Sequence, residues 1–183
     1  MIAYIICEGA FDVALLRQIL PQDLLINVEI VAAGGLSAIK SLSRSLLVRR
    51  QVPIAIVADS DSIIPESVQE RRRSIEELIS SVAVDTYFKV ILAVPSIETV
   101  FFQDSKLLPR LLGFEPSQEI LSLATAQPYK ALKELLGQAG GEHGKFSLFH
   151  HLTDEDLKAL CRAQVMQEII HFLEAVQGIA KAS

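Results

Sequence analysis

Four apolar runs, each separated from the next by a segment with helical spacing, constrain the fold of this chain more than any other feature of its sequence. The runs cover residues 2–7, 26–35, 52–58 and 87–95. β-branched Ile and Val recur in each run, which is typical of strands that are buried on both faces. Strands that alternate with helices over short connections predict right-handed crossovers and a parallel sheet.

The segments between the runs have the pattern of helices. The first places apolar residues three or four positions apart from Val13 to Leu20 and stops at Pro21. The second covers residues 36–50, and the third, residues 65–82, opens with a proline and an acidic first turn. We therefore predict an α/β fold, with a four-stranded parallel sheet covered by helices on both faces.

The rest of the chain, from residue 96 onward, has mainly helical patterns. One helix is predicted to begin at Pro128 and to end before Gly137. A long helix over residues 153–178 is predicted to begin with Thr153 as its cap, and its apolar positions form one stripe. Between these helices, the Gly-rich segment 137–146 is predicted to be a flexible loop.

The length of 183 residues suits one domain with a helical extension. Half of the residues are hydrophobic and 21% are charged, so the chain can bury a large core. We predict an α/β domain over residues 1–102 and a mainly helical C-terminal region, residues 103–183, packed on it.

Hydropathy and cysteine content indicate the cellular compartment in which the protein is expected. No apolar run approaches the roughly 20 residues of a membrane helix, and the N-terminus lacks the basic segment of a secretory signal. Cys7 and Cys161 are the only cysteines, which excludes a disulfide framework. We expect a protein of the reducing cytoplasm with no membrane partner.

Acidic side chains follow three of the four predicted strands, at the point where each strand ends. They are Glu8 after the first strand, Asp59 and Asp61 after the third, and Glu98 after the fourth. The carboxyl ends of parallel strands meet at one edge of a sheet, so these side chains should lie close together. Like charges gathered in this way need protons, basic partners or metal. Oxygen-only ligands suit Mg²⁺ or Mn²⁺, and two such ions can bridge a phosphate.

Three stretches of the sequence, "ICEGAFDVALL", "VAAGG" and "IVADSDS", together resemble a TOPRIM domain. This metal-binding fold is shared by bacterial primases, type IA and type II topoisomerases and several nucleases. Its signature is a Glu-Gly after the first strand, here Glu8-Gly9, and an Asp-x-Asp after a later strand, here Asp59-Ser60-Asp61. Asp12 and the "VPSIE" after the fourth strand bring the chain closer to the TOPRIM of the OLD family of nucleases. The resemblance covers residues 1 to about 100.

The resemblance implies a role for each matching residue. Glu8 would be a metal ligand or general acid/base, and Asp59 and Asp61 would be metal ligands. Extra acids help to bind a second metal in OLD nucleases, and Asp12 and Glu98 would serve it here. Both also fit acids of a first helical turn, which the helix dipole favours, so that reading stays open for them. Backbone access would come from glycines, namely Gly9, Gly34 and Gly35, although the last two also fit a plain tight turn.

OLD-type nucleases also use a lysine beyond the TOPRIM core. Lys130, Lys133 and Lys145 are the candidates, and we take Lys145, in the Gly-rich segment, as the catalytic candidate. The family's ATPase part has no counterpart in these 183 residues. The resemblance therefore leaves open whether the chain acts alone, as an oligomer, or with a separately encoded ATPase.

The net charge of −5 argues at first against a nucleic-acid partner. The five candidate site acids account for this excess, and bound metal would offset it. Two arginine clusters, Arg49-Arg50 and Arg71–Arg73, could track phosphates, but solvated helix faces are the favoured reading, because the last three arginines point in different directions.

Three functions follow in order of preference. The first is a hydrolase: a Mg²⁺- or Mn²⁺-dependent TOPRIM/OLD-like nuclease, or nuclease subunit, that cleaves phosphodiesters of nucleic acid, with DNA favoured over RNA. The second is a non-catalytic TOPRIM module that binds metal or a partner. The third reads "DSDSI" as the motif of a haloacid-dehalogenase-like phosphatase, which leaves Glu8-Gly9 unexplained.

Overall fold

The computed structural model describes residues 2–139 and 145–182, with side chains through residue 178. All four predicted strands form, each somewhat shorter than its apolar run. They are β1 (Ala3–Cys7), β2 (Val28–Ala32), β3 (Ile54–Asp59) and β4 (Phe88–Ala93). Every pairing between them is parallel, in the order β2-β1-β3-β4. The predicted α/β fold with a four-stranded parallel sheet is therefore confirmed.

Eight α-helices and two 3₁₀ helices lie in the described residues. The helices that connect the strands are α1 (Ala10–Ile19), α2 (Leu36–Arg50) and α3 (Pro65–Ser80). Those that follow the sheet are α4 (Leu107–Leu112), α5 (Gln118–Ala126), α6 (Pro128–Gln138), α7 (Asp154–Cys161) and α8 (Gln164–Ala182). The 3₁₀ helices are Ile97–Phe102, directly after β4, and Lys145–His151.

Successive side chains along each strand point to opposite sides, so the sheet has two apolar faces. In β1, Ile5 and Cys7 belong to one buried cluster, whereas Tyr4 and Ile6 belong to the other. Successive side chains of a strand point to opposite faces, so a continuously apolar strand needs cover on both sides. α2 and α3 provide that cover on the Tyr4 face, for example through Ile75.

The other face carries α1 and the helices that follow the sheet. One contiguous apolar cluster joins Ile5 and Ile91 of the sheet to Phe101, Leu135 and Phe172. α8 contacts β4, α7 contacts α1, and α6 contacts the first 3₁₀ helix. The cluster therefore runs across residue 102, and the division of the chain there into two parts stays a prediction.

The prediction that a helix ends before Gly137 is wrong, because α6 continues to Gln138. Leu135 and Leu136 of its last turn are buried, and the Ala139 N–H donates to the Leu135 carbonyl oxygen at 3.1 Å. Burial of this turn outweighs the weak helix propensity of one glycine, which costs about 1 kcal/mol relative to alanine. Of the predicted Gly-rich loop, residues 140–144 lie outside the described residues, and Lys145 begins the second 3₁₀ helix.

The single long helix predicted over residues 153–178 is also wrong, since α7 and α8 are separate helices with Arg162 and Ala163 between them. The N–H groups of these two residues bond three positions back, to Ala159 and Leu160, both at 3.1 Å. Gln167 then donates to the carbonyl oxygen of Cys161 at 2.6 Å. A side chain thus satisfies a carbonyl that the break releases, and buried Ala163 fills the junction.

None of the helices within the described residues combines the length and the hydropathy that crossing a bilayer requires.

The predicted cap of α7 is present and generates a stability prediction. Thr153 Oγ1 accepts a hydrogen bond from the Asp156 N–H at 3.3 Å, and Asp156 Oδ2 accepts one from the Thr153 N–H at 2.7 Å. Thr153→Ala removes the first of these bonds and the one that the Thr153 hydroxyl donates to Asp156 Oδ2 at 2.6 Å, and we expect it to lower the free energy of unfolding by about 1 kcal/mol in urea denaturation. Thr125→Ala, on the exposed surface of α5, is the matched control and should change it by less than about 0.5 kcal/mol. Equal losses in the two variants would contradict the capping role.

Candidate active site

The ends of β1, β3 and β4 bring Glu8, Asp59 and Glu98 to one edge of the sheet, and the first turn of α1 adds Asp12. We call these four residues the carboxylate cluster. Two backbone N–H groups tie its loops together. The Asp59 N–H donates to Glu8 Oε1 at 3.0 Å, and the Ile97 N–H donates to Asp59 Oδ1 at 2.9 Å. The acids predicted from separate strand ends are therefore neighbours.

Asp12 combines a local role with its place in the cluster. Its Oδ2 accepts a hydrogen bond from the Gly9 N–H at 2.9 Å, at the N-terminus of α1. Gly9 itself has an extended backbone, with φ −134°, and an added Cβ would meet Asp12 Oδ2 at an ordinary 3.9 Å. The helix-start reading of Asp12 is correct, and the access role of Gly9 stays a prediction.

Gly34 and Gly35 hold the backbone of Glu8 in place. Both N–H groups donate to the Glu8 carbonyl oxygen, at 2.9 and 3.2 Å. Their φ values of 94° and 115° lie in the region that favours glycine. An added Cβ at either would meet nothing within 4 Å, so backbone conformation alone requires the glycines. The tight-turn reading fits these contacts, and substrate access at the pair stays a prediction.

Asp61 is exposed at the edge of the cluster, where its charge helps to raise the pKa of Glu8, and it is paired with Arg71. Arg71 Nε also donates to the carbonyl oxygen of Asp59 at 3.1 Å, and Arg72 donates to the Val90 carbonyl oxygen at 2.6 Å. The reading of these arginines as a solvated helix face is therefore wrong for Arg71 and Arg72. A signal existed: helical side chains lean toward the N-terminus of their helix, and α3 begins beside the end of β3.

Of the three candidate lysines, Lys145 is the one that meets the carboxylate cluster. Its Nζ lies 2.6 Å from Oε1 of Glu98, which is 4% exposed. The ammonium also lies over two rings, 4.2 Å from the centroid of Phe11 and 4.5 Å from that of Tyr129. Attraction between the cation and the ring faces helps to hold it there.

The other two candidate lysines, Lys130 and Lys133, lie on α6. Lys130 lines a cavity together with Asp61 and Ser96. Lys133 is exposed and is not among the residues that line this cavity. Ser96 Oγ donates to Glu98 Oε2 at 2.7 Å.

Burial and mutual repulsion make the negative charge of the cluster unfavourable. Burial raises the pKa of Asp59 to about 8, with further increases from the charges of Glu98, Glu8 and Asp12, against which the Ile97 N–H acts. Burial also raises the pKa of Glu8 and of Asp12, while the N–H groups of Asp59 and Gly9 oppose these shifts. The cluster therefore favours added positive charge, either as protons or as a cation.

The chemistry of this donor set fits a hard divalent cation, because every candidate ligand is a carboxylate oxygen. Across residues 2–139 and 145–182, however, no three His, Cys, Asp or Glu side chains are arranged to hold a metal ion. Asp61 and Glu98 face Arg71 and Lys145 instead. Metal binding by the predicted ligands would thus require these two acids to exchange a basic partner for the ion.

Cys7, immediately before Glu8, is fully buried within the apolar cluster that includes α1. Burial raises the pKa of its thiol, and the nearby Asp12 raises it further. Cys7 is therefore packed as a small residue of the apolar core.

The fold is similar to that of a solved structure, the C-terminal region of the OLD protein of Xanthomonas campestris pv. campestris. The two chains are 17% identical, the TM-score is 0.55, and the match covers 98% of each chain. At that identity the likeness is one of fold, and it extends well past the part of the sequence that resembles TOPRIM. No protein-family model matches the sequence, and no curated protein matches it either.

The raised pKa of Asp59 predicts how stability depends on pH. The folded-state pKa of about 8 exceeds the value of about 3.9 in an unfolded chain, so the folded state binds this proton more tightly. Without divalent metal, the stabilisation of the folded state by the proton on Asp59 is fully present below about pH 4 and is lost as the pH rises toward 8. Asp59→Asn keeps an acceptor for the Ile97 N–H but carries no charge.

We therefore expect Asp59→Asn to raise the free energy of unfolding by about 1 kcal/mol or more at pH 8 and by much less at pH 4.5. Urea denaturation in EDTA at both pH values measures the difference. Asp85→Asn is the matched control, an exposed position with φ 54° that Asn tolerates, and it should show no such pH trend. A gain that is the same at both pH values would contradict the assignment to charge.

Proposed function

We propose that this chain is a divalent-metal-dependent phosphodiesterase that hydrolyses nucleic acid, as a TOPRIM- and OLD-like nuclease or the nuclease subunit of a larger assembly. The observation that carries the proposal is the carboxylate cluster itself. Four acids from three strand ends and one helix start meet at one sheet edge with unfavourable charge, next to one lysine. The order of the motifs and the OLD-like fold support the same function.

In this proposal Glu8, Asp12, Asp59 and Glu98 would hold one or two Mg²⁺ or Mn²⁺ ions, with Asp61 as a further ligand at the exposed edge. Such ions, when bound, lower the pKa of an attacking water and neutralise the phosphate. Glu8 also suits proton transfer, because its pKa is raised and only Oε1 is held by the Asp59 N–H. The other oxygen, Oε2, would accept the proton of the attacking water.

Lys145 supplies the positive charge nearest to the buried end of the cluster. The rings of Phe11 and Tyr129 orient its ammonium, which has three hydrogens to donate. We assign it to the phosphate oxygens, where it would stabilise charge that develops during cleavage. Gly9, Gly34 and Gly35 would let the nucleic-acid backbone approach, with DNA favoured over RNA. A separately encoded ATPase is the partner that the OLD resemblance implies.

A non-catalytic module is the second candidate, and one observation favours it. Arg71 and Lys145 already neutralise Asp61 and Glu98, so two of the five proposed ligands have a basic partner without any metal. Such a domain would bind metal or a partner protein without turnover. The phosphatase reading gains no support, because the Asp-x-Asp follows β3 rather than the first strand, and Asp59 is tied to Ile97.

Cleavage of supercoiled plasmid and of labelled single strands, in Mg²⁺ and in Mn²⁺, tests the proposal. We expect metal-dependent cleavage that falls at least about 100-fold in Asp59→Asn, Glu8→Gln and Lys145→Met, because each removes charge that the transition state needs. Lys158→Met, at an exposed position of α7, is the matched control for Lys145 and should cleave like the wild type.

Two outcomes would contradict the nuclease. Cleavage that survives in Asp59→Asn and Glu8→Gln would come from another site or a contaminant. No cleavage, together with calorimetric binding of Mn²⁺ that Asp59→Asn abolishes, would support the non-catalytic module instead.

A further inference from the structure

Two half-exposed aromatic rings lie near Lys145, the lysine that contacts the carboxylate cluster. Tyr129 is 50% exposed and Phe146 is 49% exposed. The Lys145 ammonium lies 4.5 Å from the centroid of the Tyr129 ring and 4.2 Å from the centroid of the Phe11 ring. The Phe146 ring in turn packs edge-on to Phe11, with the ring centroids 5.6 Å apart. Tyr129 therefore lies directly beside the ammonium that contacts Glu98, and Phe146 lies one ring further away, across Phe11.

Tyr129 also forms part of the wall of a cavity at this edge of the sheet. The polar residues of that wall come from the loop after β3, the loop after β4 and the start of α6; they are Asp61, Ser96, Gln127 and Lys130. A carboxylate of the candidate site, an aromatic ring and an exposed ammonium thus share one concave surface. A flat ring with polar atoms at its edges and a phosphate attached would match each of these groups.

Nucleobases have that chemistry, and stacking is how proteins hold them without reading their sequence. Each base offers a π-face to an aromatic side chain, while lysines contact the adjoining phosphates. Bases inside a duplex are already stacked on one another and cannot reach a ring on a protein surface. Exposed rings beside a phosphodiester site therefore select for unpaired bases.

We propose that Tyr129 and Phe146 stack on the bases of a single-stranded nucleic acid, with Lys130 on a neighbouring phosphate, and so deliver one phosphodiester to the carboxylate cluster. The position of that phosphodiester rests on the proposed function, whereas base stacking does not. The two rings are positioning residues for the substrate, and the preferred substrate is a single strand or an unpaired end.

Fluorescence anisotropy with two labelled strands of about 12 nucleotides tests the inference, one an oligothymidylate and the other an abasic strand of equal length and charge. The full chain carries Asp59→Asn in these titrations, which keeps the strands intact in Mg²⁺. We expect Tyr129→Leu and Phe146→Leu each to weaken oligothymidylate binding about tenfold and to leave the affinity for the abasic strand unchanged. Tyr129→Phe, which keeps the ring, should bind as the parent does.

Tyr87→Leu is the matched control. Tyr87 is 41% exposed, stacks on Phe172, and lies immediately before β4, at the sheet edge opposite to the cluster. It should bind both strands like the parent. A thermal melt of each variant establishes that a loss of binding is not a loss of folding.

Three outcomes would overturn the inference: no binding of either strand, equal losses for the oligothymidylate and abasic strands in Tyr129→Leu, or tighter binding of a duplex that Tyr129→Leu leaves unchanged.

The two proposals fail separately. Base-dependent binding without cleavage by the wild type would remove the nuclease and keep the stacking site. Metal-dependent cleavage of single strands that Tyr129→Leu and Phe146→Leu leave unchanged would remove the stacking site and keep the nuclease.

Discussion

Burial of a parallel sheet on both faces is the constraint on which the rest of this structure depends. β1 and the first five residues of β3 are continuously buried, so helices must cover the sheet on each side. Those crossovers place every strand in the same direction, and all the carboxyl ends then meet at one edge. The acids at that edge come together because each of them lies at or after the end of a buried strand, and these strands all run in the same direction.

Glu8 and Asp59 are held at this edge by backbone groups rather than by side chains. Glu8 accepts a hydrogen bond from the Asp59 N–H, and Asp59 accepts one from the Ile97 N–H, so each of these carboxylates is fixed by a backbone group at or just after the end of the neighbouring strand. Gly34 and Gly35 fix the carbonyl oxygen of Glu8 in the same manner. Neutral donors orient these acids without cancelling their charge, and the cluster therefore retains its affinity for cations.

The elements with strong local signals could be predicted from the sequence. α2 occupies residues 36–50 as expected, because a glycine precedes a clear helical period, and Thr153 caps α7. The break at Arg162 and Ala163 carries no Gly or Pro, and depends on a buried alanine and on the Gln167 side chain. Such a break is decided by packing between distant elements, which no local pattern records.

The candidate site divides in the same way. Its acids could be predicted, since strand ends have a known geometry, but their basic partners could not. Arg71 reaches Asp61 from two turns inside a helix whose charges looked solvated, and Lys145 reaches Glu98 from a separate 3₁₀ helix. Lys145 could be selected as a candidate from the sequence, but its pairing with Glu98 and its position over Phe11 and Tyr129 could not be predicted.

The pairing of Lys145 with Glu98 links two positions 47 residues apart. All four acids of the cluster belong to the segment that forms the sheet and its first 3₁₀ helix, whereas the lysine arrives only when the later helices have packed over Phe11. A chain newly leaving the ribosome acquires its acids first and its ammonium last. The complete constellation therefore depends on contacts between the sheet and a later part of the chain, and a chain truncated before Lys145 would carry the acids without the lysine.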